Sequence, residues 1–152
     1  MSRKADIKKL IEHELWANQK VVEMALSAHD LPDRVGEIVS HLINAQQIWM
    51  SRLLKRPQSV KVWGEVPTEK WLKMVKENSS LLLEILEKTD QLDEVIEYKN
   101  SKGTTFRSTV LEIFYHLMLH SQYHRGQVVV LMKPYVSELP ATDFIFWSRE
   151  KN

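Results

Sequence analysis

The sequence predicts an all-α protein, a four-helix bundle with a small β-hairpin before the last long helix. Three observations predict it. Apolar residues recur at helical spacing through four long segments. The 4 glycines and 5 prolines are few, and the prolines punctuate those segments. One stretch alone, around Val95 to Phe106, changes period and gathers β-branched and aromatic residues about a turn.

Each element follows in order. From about Asp6 to Ser27, Ile7, Leu10, Ile11, Leu15, Val21, Val22, Ala25 and Leu26 keep the helical period. His29-Asp30-Leu31-Pro32 stops that helix, because a proline disfavours helical geometry in the residue before it. A second helix is expected from about Asp33, read as its N-cap, to Leu54, with Val35, Ile38, Val39, Leu42, Ala45, Ile48, Trp49 and Leu53 as its apolar set. Residues 55–66, which hold Pro57 and Gly64, read as a linker. Fully extended it reaches about 35 Å, enough to travel the length of a helix of about 20 residues, so the second and third helices can run parallel. The third helix is expected to begin at Pro67-Thr68-Glu69, with Thr68 capping, and to run to about Lys88 through Trp71, Leu72, Val75, Leu82, Leu83, Ile85 and Leu86.

A short hairpin follows, with Val95 to Tyr98 extended, Lys99 to Gly103 as the turn, and Thr104, Thr105 and Phe106 returning. Ser108 or Thr109 then caps the fourth helix, with Glu112 placed for a reciprocal contact, and that helix continues to Lys133 before Pro134. The tail from Thr142 to Trp147 is expected to form a short helix packed back on the rest. No internal repeat, low-complexity segment or composition shift marks a boundary, and residues 1–152 are expected to form one domain.

Bulk properties narrow the function classes. Hydrophobic content of 43% and charged content of 27% suit a soluble globular protein. There is no cysteine, which excludes disulfides, thiolate zinc sites, iron–sulfur clusters and a cysteine nucleophile; any metal must rest on His, Asp or Glu. The start lacks the apolar core of a signal peptide, and no run approaches the ~18 apolar residues of a membrane span, so a cytoplasmic protein with no membrane partner is expected. The net charge is +1, with Lys8, Lys9, Lys55, Arg56, Lys61, Lys73 and Lys76 scattered among acids. That gives no basic face for nucleic acid.

The functional signal is the segment His116 to Gln127, in which His116, His120 and His124 recur every fourth position and make up half of the 6 histidines. Positions four apart lie about 40° apart around a helix and roughly 6 Å along it, so the three rings share one stripe. His116 and His124 are about 12 Å apart along the axis, too far to grip one ion. Only a neighbouring pair, 116/120 or 120/124, can converge on a metal, and a third ligand must come from another helix. His41, midway along the second helix, leads. His13, near the start of the first helix between Glu12 and Glu14, is an alternative, and His29 sits in a turn where it is expected to be solvated.

Familiar catalytic patterns fail here. The zinc-protease motif needs Glu directly after the first histidine, where this chain has Ser121 or Leu117. Di-iron bundles need Glu-x-x-His on two helices, and Glu112 lies four residues before His116 with no second copy. No serine is marked as the nucleophile of a triad.

The second helix carries His41-Leu-Ile-Asn-Ala-Gln-Gln-Ile-Trp49-Met-Ser-Arg52-Leu53, a histidine, seven residues, tryptophan, two residues and Arg-Leu. With Trp16-Ala17-Asn18, the turn from Tyr98 through Asn100 to Gly103, the ending His124-Arg125-Gly126-Gln127 and the Thr142-Asp143 tail, it resembles the DinB (damage-inducible) family over nearly the whole chain. The resemblance implies up-down-down-up topology and a divalent metal held by His41, His120 and His124. His116 would then support or pack beside the site. Gln127, and Asn18 from the first helix, are candidates to orient a ligand or a water. Arg125 is expected in an ion pair, and Gly126 is expected to admit a neighbouring helix closely.

Three neutral imidazoles leave a divalent ion short of its full shell. Zinc so held would lower the pKa of bound water to about 7, whereas a soft thiol substrate would bind as thiolate; the catalytic group is thus a metal-bound water or thiolate. Zinc is the first expectation, with nickel or another transition metal as alternatives. Relatives of the family include transferases that activate a low-molecular-weight thiol and metal-dependent hydrolases, so a small-molecule substrate is expected, and a homodimer is compatible with the resemblance. The alternative is a non-catalytic metal-binding stress-response module.

Overall fold

The structure, a computed structural model, describes residues 2–151. It is mostly helical, with one two-stranded antiparallel sheet. Ser2 opens α1 (Arg3–Ser27) by accepting the Ala5 N–H on its side chain, so the helix starts ahead of Asp6. α2 spans Asp33–Leu53, but Pro32 holds its N-cap position and no side chain caps it. That corrects the reading of Asp33 as the cap; Asp33 is the first helical residue, where its charge complements the helix dipole.

Thr68 likewise caps nothing. Thr68–Lys70 form a single 3-10 turn after Pro67, and α3 follows at Trp71–Lys88. β1 (Val95–Lys99) pairs with β2 (Thr105–Thr109), Val95 opposite Thr109 and Lys99 opposite Thr105. Between them the Asn100 side chain accepts the N–H groups of Lys102 and Thr104, and Gly103 supplies the positive φ, +80°, that the turn requires. Thr109 then caps α4 (Val110–Met132) in a reciprocal contact with Glu112, the capping box that the sequence marks. A 3-10 turn at Lys133–Tyr135 ends this helix, and α5 (Phe144–Arg149) closes the described chain.

Apolar burial falls into two clusters. One joins Val21, Val22 and Ala25 of α1 to Val35, Ile38 and Val39 of α2, Trp71 and Val75 of α3, and Val128 and Met132 of α4. The other joins Ile7 and Ile11 to Met50, to Leu82 and Leu86, and to Ile113, Phe114 and Leu117. The starts of α2 and α3 therefore share a cluster with the ends of α1 and α4. Trp71 and Phe114 are 1% and 0% exposed; each large side chain so buried stabilises the fold by about 1.5–3 kcal/mol. α1 packs on α3 and α4, and α2 packs on the same two. Between the clusters lies a buried polar waist that includes Glu14, Asn18, His41, Asn44, Gln46, Asn78, Ser121, His124 and Arg125. Among the described residues no helix is long and apolar enough to cross a membrane.

Candidate metal centre

The packing of α2 against α4 brings His41 to the stripe on α4. Nε2 of His41 and Nε2 of His124 each lie 3.1 Å from Nε2 of His120. His41, His120 and His124 are the one group of at least three His, Asp or Glu side chains among the described residues whose donor atoms lie within 4.8 Å of one another, and no carboxylate joins them.

The opposite edges of two rings are fixed. Nδ1–H of His41 donates to the Val62 carbonyl at 2.9 Å, and Nδ1–H of His124 donates to Gln127 Oε1 at 2.7 Å. Each bond places the proton on Nδ1 and leaves the Nε2 lone pair facing inward. A proton on His120 Nε2 can be given to only one of the two facing lone pairs, and a proton on its Nδ1 instead sets three lone pairs against one another. A shared cation satisfies all three nitrogens. Zinc–nitrogen bonds of about 2.0–2.1 Å at tetrahedral angles separate ligand nitrogens by about 3.3–3.4 Å, so the two separations of 3.1 Å from His120 need widen by only a few tenths of an ångström.

Burial and the neighbouring imidazoles of His124, His41 and His116 push the His120 pKa down to about 3. Burial also lowers that of His41, against the pull of the Val62 carbonyl. His120 is thus neutral, the form a metal takes up, well below pH 7, and the lowered pKa of His41 favours its neutral form as well.

The linker supplies what the sequence reading missed. Trp63 stacks on His41 with ring centres 3.9 Å apart and planes 10° apart, and Arg34 lies 5.2 Å from the centre of the indole. Trp63 is 52% exposed and meets His124 edge-on, as does Tyr123, which is 64% exposed. A tryptophan next to glycine in a linker without helical period was the available signal. A cavity of about 470 Å³ lined by Trp63, Ser40, Glu37 and Glu65 adjoins this edge. A larger cleft of about 620 Å³, beside Lys55, Arg56 and Glu84, contains none of the histidines.

The remaining candidates fall elsewhere. His116 packs on Trp49 with ring centres 4.7 Å apart, and Arg52 covers the same indole at 4.2 Å. His13 is no ligand: its Nε2–H donates to the Thr142 carbonyl at 2.7 Å, and its ring packs among Trp16, Phe144 and Trp147, docking the tail on α1. His29 is exposed, as expected for a turn. Asn18 does not bond the imidazoles; its Oδ1 accepts from Arg125 at 2.8 Å. Arg125 makes no ion pair within 4 Å among the described residues and instead donates to Asn18 and Gln122. Gly126 faces open space, so the close approach expected there is absent.

Fold and cluster together define a helical protein whose buried histidine group is compatible with a metal site. The sequence model of the DinB family matches residues 1–151, and the chain belongs to that family. Among its relatives is "Protein DinB" of Bacillus subtilis (strain 168), 20% identical over 146 residues that cover 82% of this chain and 83% of that protein. No solved structure matches the chain.

Proposed function

We propose that the protein is a metal-dependent enzyme of the DinB type, in which His41, His120 and His124 hold one divalent ion and leave part of its shell open to a small molecule. The observation that carries this reading is the convergence of three Nε2 atoms with no fourth His, Asp or Glu ligand atom among the described residues. A closed structural zinc site takes four protein ligands, whereas catalytic sites commonly keep three and an open position. An ion held there supplies Lewis acidity toward a thiol or an oxygen substituent. Val62 and Gln127 orient the rings, while Trp63 and Tyr123 offer exposed aromatic walls to the substrate. The reaction is a transfer to a low-molecular-weight thiol or a hydrolysis, and zinc is the favoured ion.

We also read the long helices as a four-helix bundle of up-down-down-up topology in one domain. The shared apolar clusters support it, since like ends of α2 and α3 meet while α1 and α4 run together. Tyr115, Leu119, Tyr123 and Val130 on α4, 46%, 71%, 64% and 72% exposed, support a homodimer through that helix.

The test is metal analysis of untagged protein, followed by thiol-conjugation and ester- or amide-hydrolysis screens with and without chelator. Stoichiometric metal lost in His120→Ala and kept in His116→Ala supports the site; metal lost from neither removes it. Metal with no open position and no chelator-sensitive turnover returns the protein to the class of non-catalytic binding modules.

A further inference from the structure

The polar waist holds side chains that the histidine triad does not use. Arg125 Nη1 donates to Asn18 Oδ1 across 107 positions, and the same offset carries Ile7 to Phe114, Glu14 to Ser121, Val21 to Val128 and Ala25 to Met132. The apolar pairs each fall within one cluster. Ile7, Ile11, Glu14, Asn18, Val21 and Ala25 advance along α1 in alternating steps of four and three, the spacing of a helix seam. Two consecutive rungs of that seam are polar where the others are apolar.

Glu14, Asn18 and Ser121 are 1% exposed and Arg125 is 3% exposed. Each leaves one buried polar atom without a partner: Glu14 Oε2, Asn18 Nδ2, Ser121 Oγ and Arg125 Nε. Among the other buried polar side chains described, Ser79 Oγ also lacks a partner, while Gln46 and Asn78 are bonded. Gln46 donates to Glu14 Oε1 at 3.0 Å and accepts from Asn78 at 2.9 Å, tying in α2 and α3. Burial raises the Glu14 pKa, opposed by Ser121, by the Arg125 charge, by Gln46 and by Asn18; Ser121 and Asn18 thus approach the carboxyl, but short of the geometry of a full hydrogen bond. Unpartnered buried polar atoms are costly, and native interiors pair them with protein or with water. These four offer donors, an acceptor and a hydroxyl, which is the set of about 2–4 partners that a buried water takes.

We propose that Glu14, Asn18, Ser121 and Arg125 enclose a buried water site, and that this hydrated layer locks the register of α4 against α1 and so aims His120 and His124 at His41. Successive residues on a helix point about 100° apart, so a rotation of α4 that buries Ser121 and Arg125 against α1 turns the adjoining His120 and His124 toward α2. An all-apolar seam tolerates slippage, while polar members of a seam specify one register. The aiming of the ligands rests on the metal reading above; the water site and the register do not.

Two measurements on metal-free protein test the layer without metal. In the wild type, a long-lived water gives NMR cross-relaxation to the Asn18 side-chain amide and to Ser121, and each histidine gives one ring resonance. In Glu14→Leu/Ser121→Ala the water signal is lost and the His120 and His124 resonances split into more than one set. Zinc affinity, read by chelator competition, falls at least about tenfold in that variant and stays within about threefold in Glu14→Gln. If the double variant does not fold, Ser121→Ala alone is read in the same way. Absence of the water signal in the wild type overturns the proposal, as does a folded variant with single resonances and unchanged affinity. A wild type that binds no zinc sinks the metal reading, and the water and resonance measurements still decide the layer.

Discussion

Gln127→Ala removes the acceptor that holds Nδ1–H of His124, at 2.7 Å, and frees that ring to rotate and to move its proton to Nε2. A net contribution of about 0.5–1.5 kcal/mol is typical of one such bond. At about 1.4 kcal/mol per decade this corresponds to a loss of roughly two- to twelvefold in metal affinity. Loss of the orienting partner of a ligating histidine costs about 10–100-fold at other metal sites, so about tenfold is expected where the two ranges meet. Alanine is the best helix former and Gln127 is half-buried, so α4 should persist, and losing this bond should lower the metal-free melting temperature by no more than about 6 °C. The assay is competition between metal-free protein and a chromophoric chelator for zinc, with His124→Ala setting the limit of complete ligand loss. Affinity unchanged within about twofold, in a variant that still melts cooperatively, would refute the claim that this contact preorganises the site.

Trp63→Ala strips the ring stacked 3.9 Å from His41. A stacked pair contributes about 0.5–1.5 kcal/mol beyond its burial, so zinc affinity should fall by up to about tenfold, with loss of any metal-dependent change in tryptophan emission; full retention of both speaks against the wall. For pH, burial holds the His120 pKa at about 3 in the folded protein against its ordinary value of 6.5, so between these values the unfolded chain binds the extra proton. Metal-free protein should therefore lose stability as pH falls from 6.5 toward 3 and gain nothing from this group above 6.5. One proton limits the slope to about 1.4 kcal/mol per pH unit, and partial solvation of the ring reduces the total change below what that slope would accumulate. Urea midpoints across that range, flatter in His120→Gln, check it, and parallel curves for the two proteins refute it. Leu119→Lys places a charge on the exposed α4 face and should shift a dimer to monomer in sedimentation; a wild type that is already monomeric removes the dimer reading.

Long amphipathic periods made the helices legible, because the apolar residues of each have to reach one shared interior. Their starts were less so. Pro32 and Pro67 both take the cap position in extended backbone, with ψ of 137° and 138°. That leaves Asp33 and Thr68 one place too late to cap, whatever their preference for the role. At Thr109 no proline intervenes, and the reciprocal pattern with Glu112 could be read directly. The histidine stripe was legible as a stripe, and His41 as the leading third ligand. The spacing left the pairs 116/120 and 120/124 open, and geometry separates them by turning His116 onto Trp49 and His120 toward His41. Val62 and Trp63 could not be found that way, since their roles depend on where an aperiodic linker crosses the helix. Gly126 misled for the same reason, because a glycine in a helix does not say which neighbour, if any, lies beside it.

That linker does more than span the distance between α2 and α3, and Asn44→Ala tests it. Nδ2 of Asn44 donates to the Gly64 carbonyl at 2.7 Å, and the Val66 N–H donates to Ser40 Oγ at 3.0 Å. Trp71 Nε1 donates to the Val66 carbonyl at 2.8 Å. Three anchors thus pin residues 64 to 66, and the two residues before them carry the carbonyl and the indole that touch His41. Asn44 is 3% exposed and one turn from His41 on the same helix, so its loss leaves the Gly64 carbonyl without its donor. The expected destabilisation is about 1–3 kcal/mol, as for other broken buried hydrogen bonds. If the linker orients His41, zinc affinity falls as well, and saturating zinc restores part of the lost stability, because an ion that binds only the folded chain draws the equilibrium toward it. A lower melting temperature with unchanged zinc affinity would assign these anchors to the fold alone. The orientation of His41 would then rest on its packing within α2 and α4.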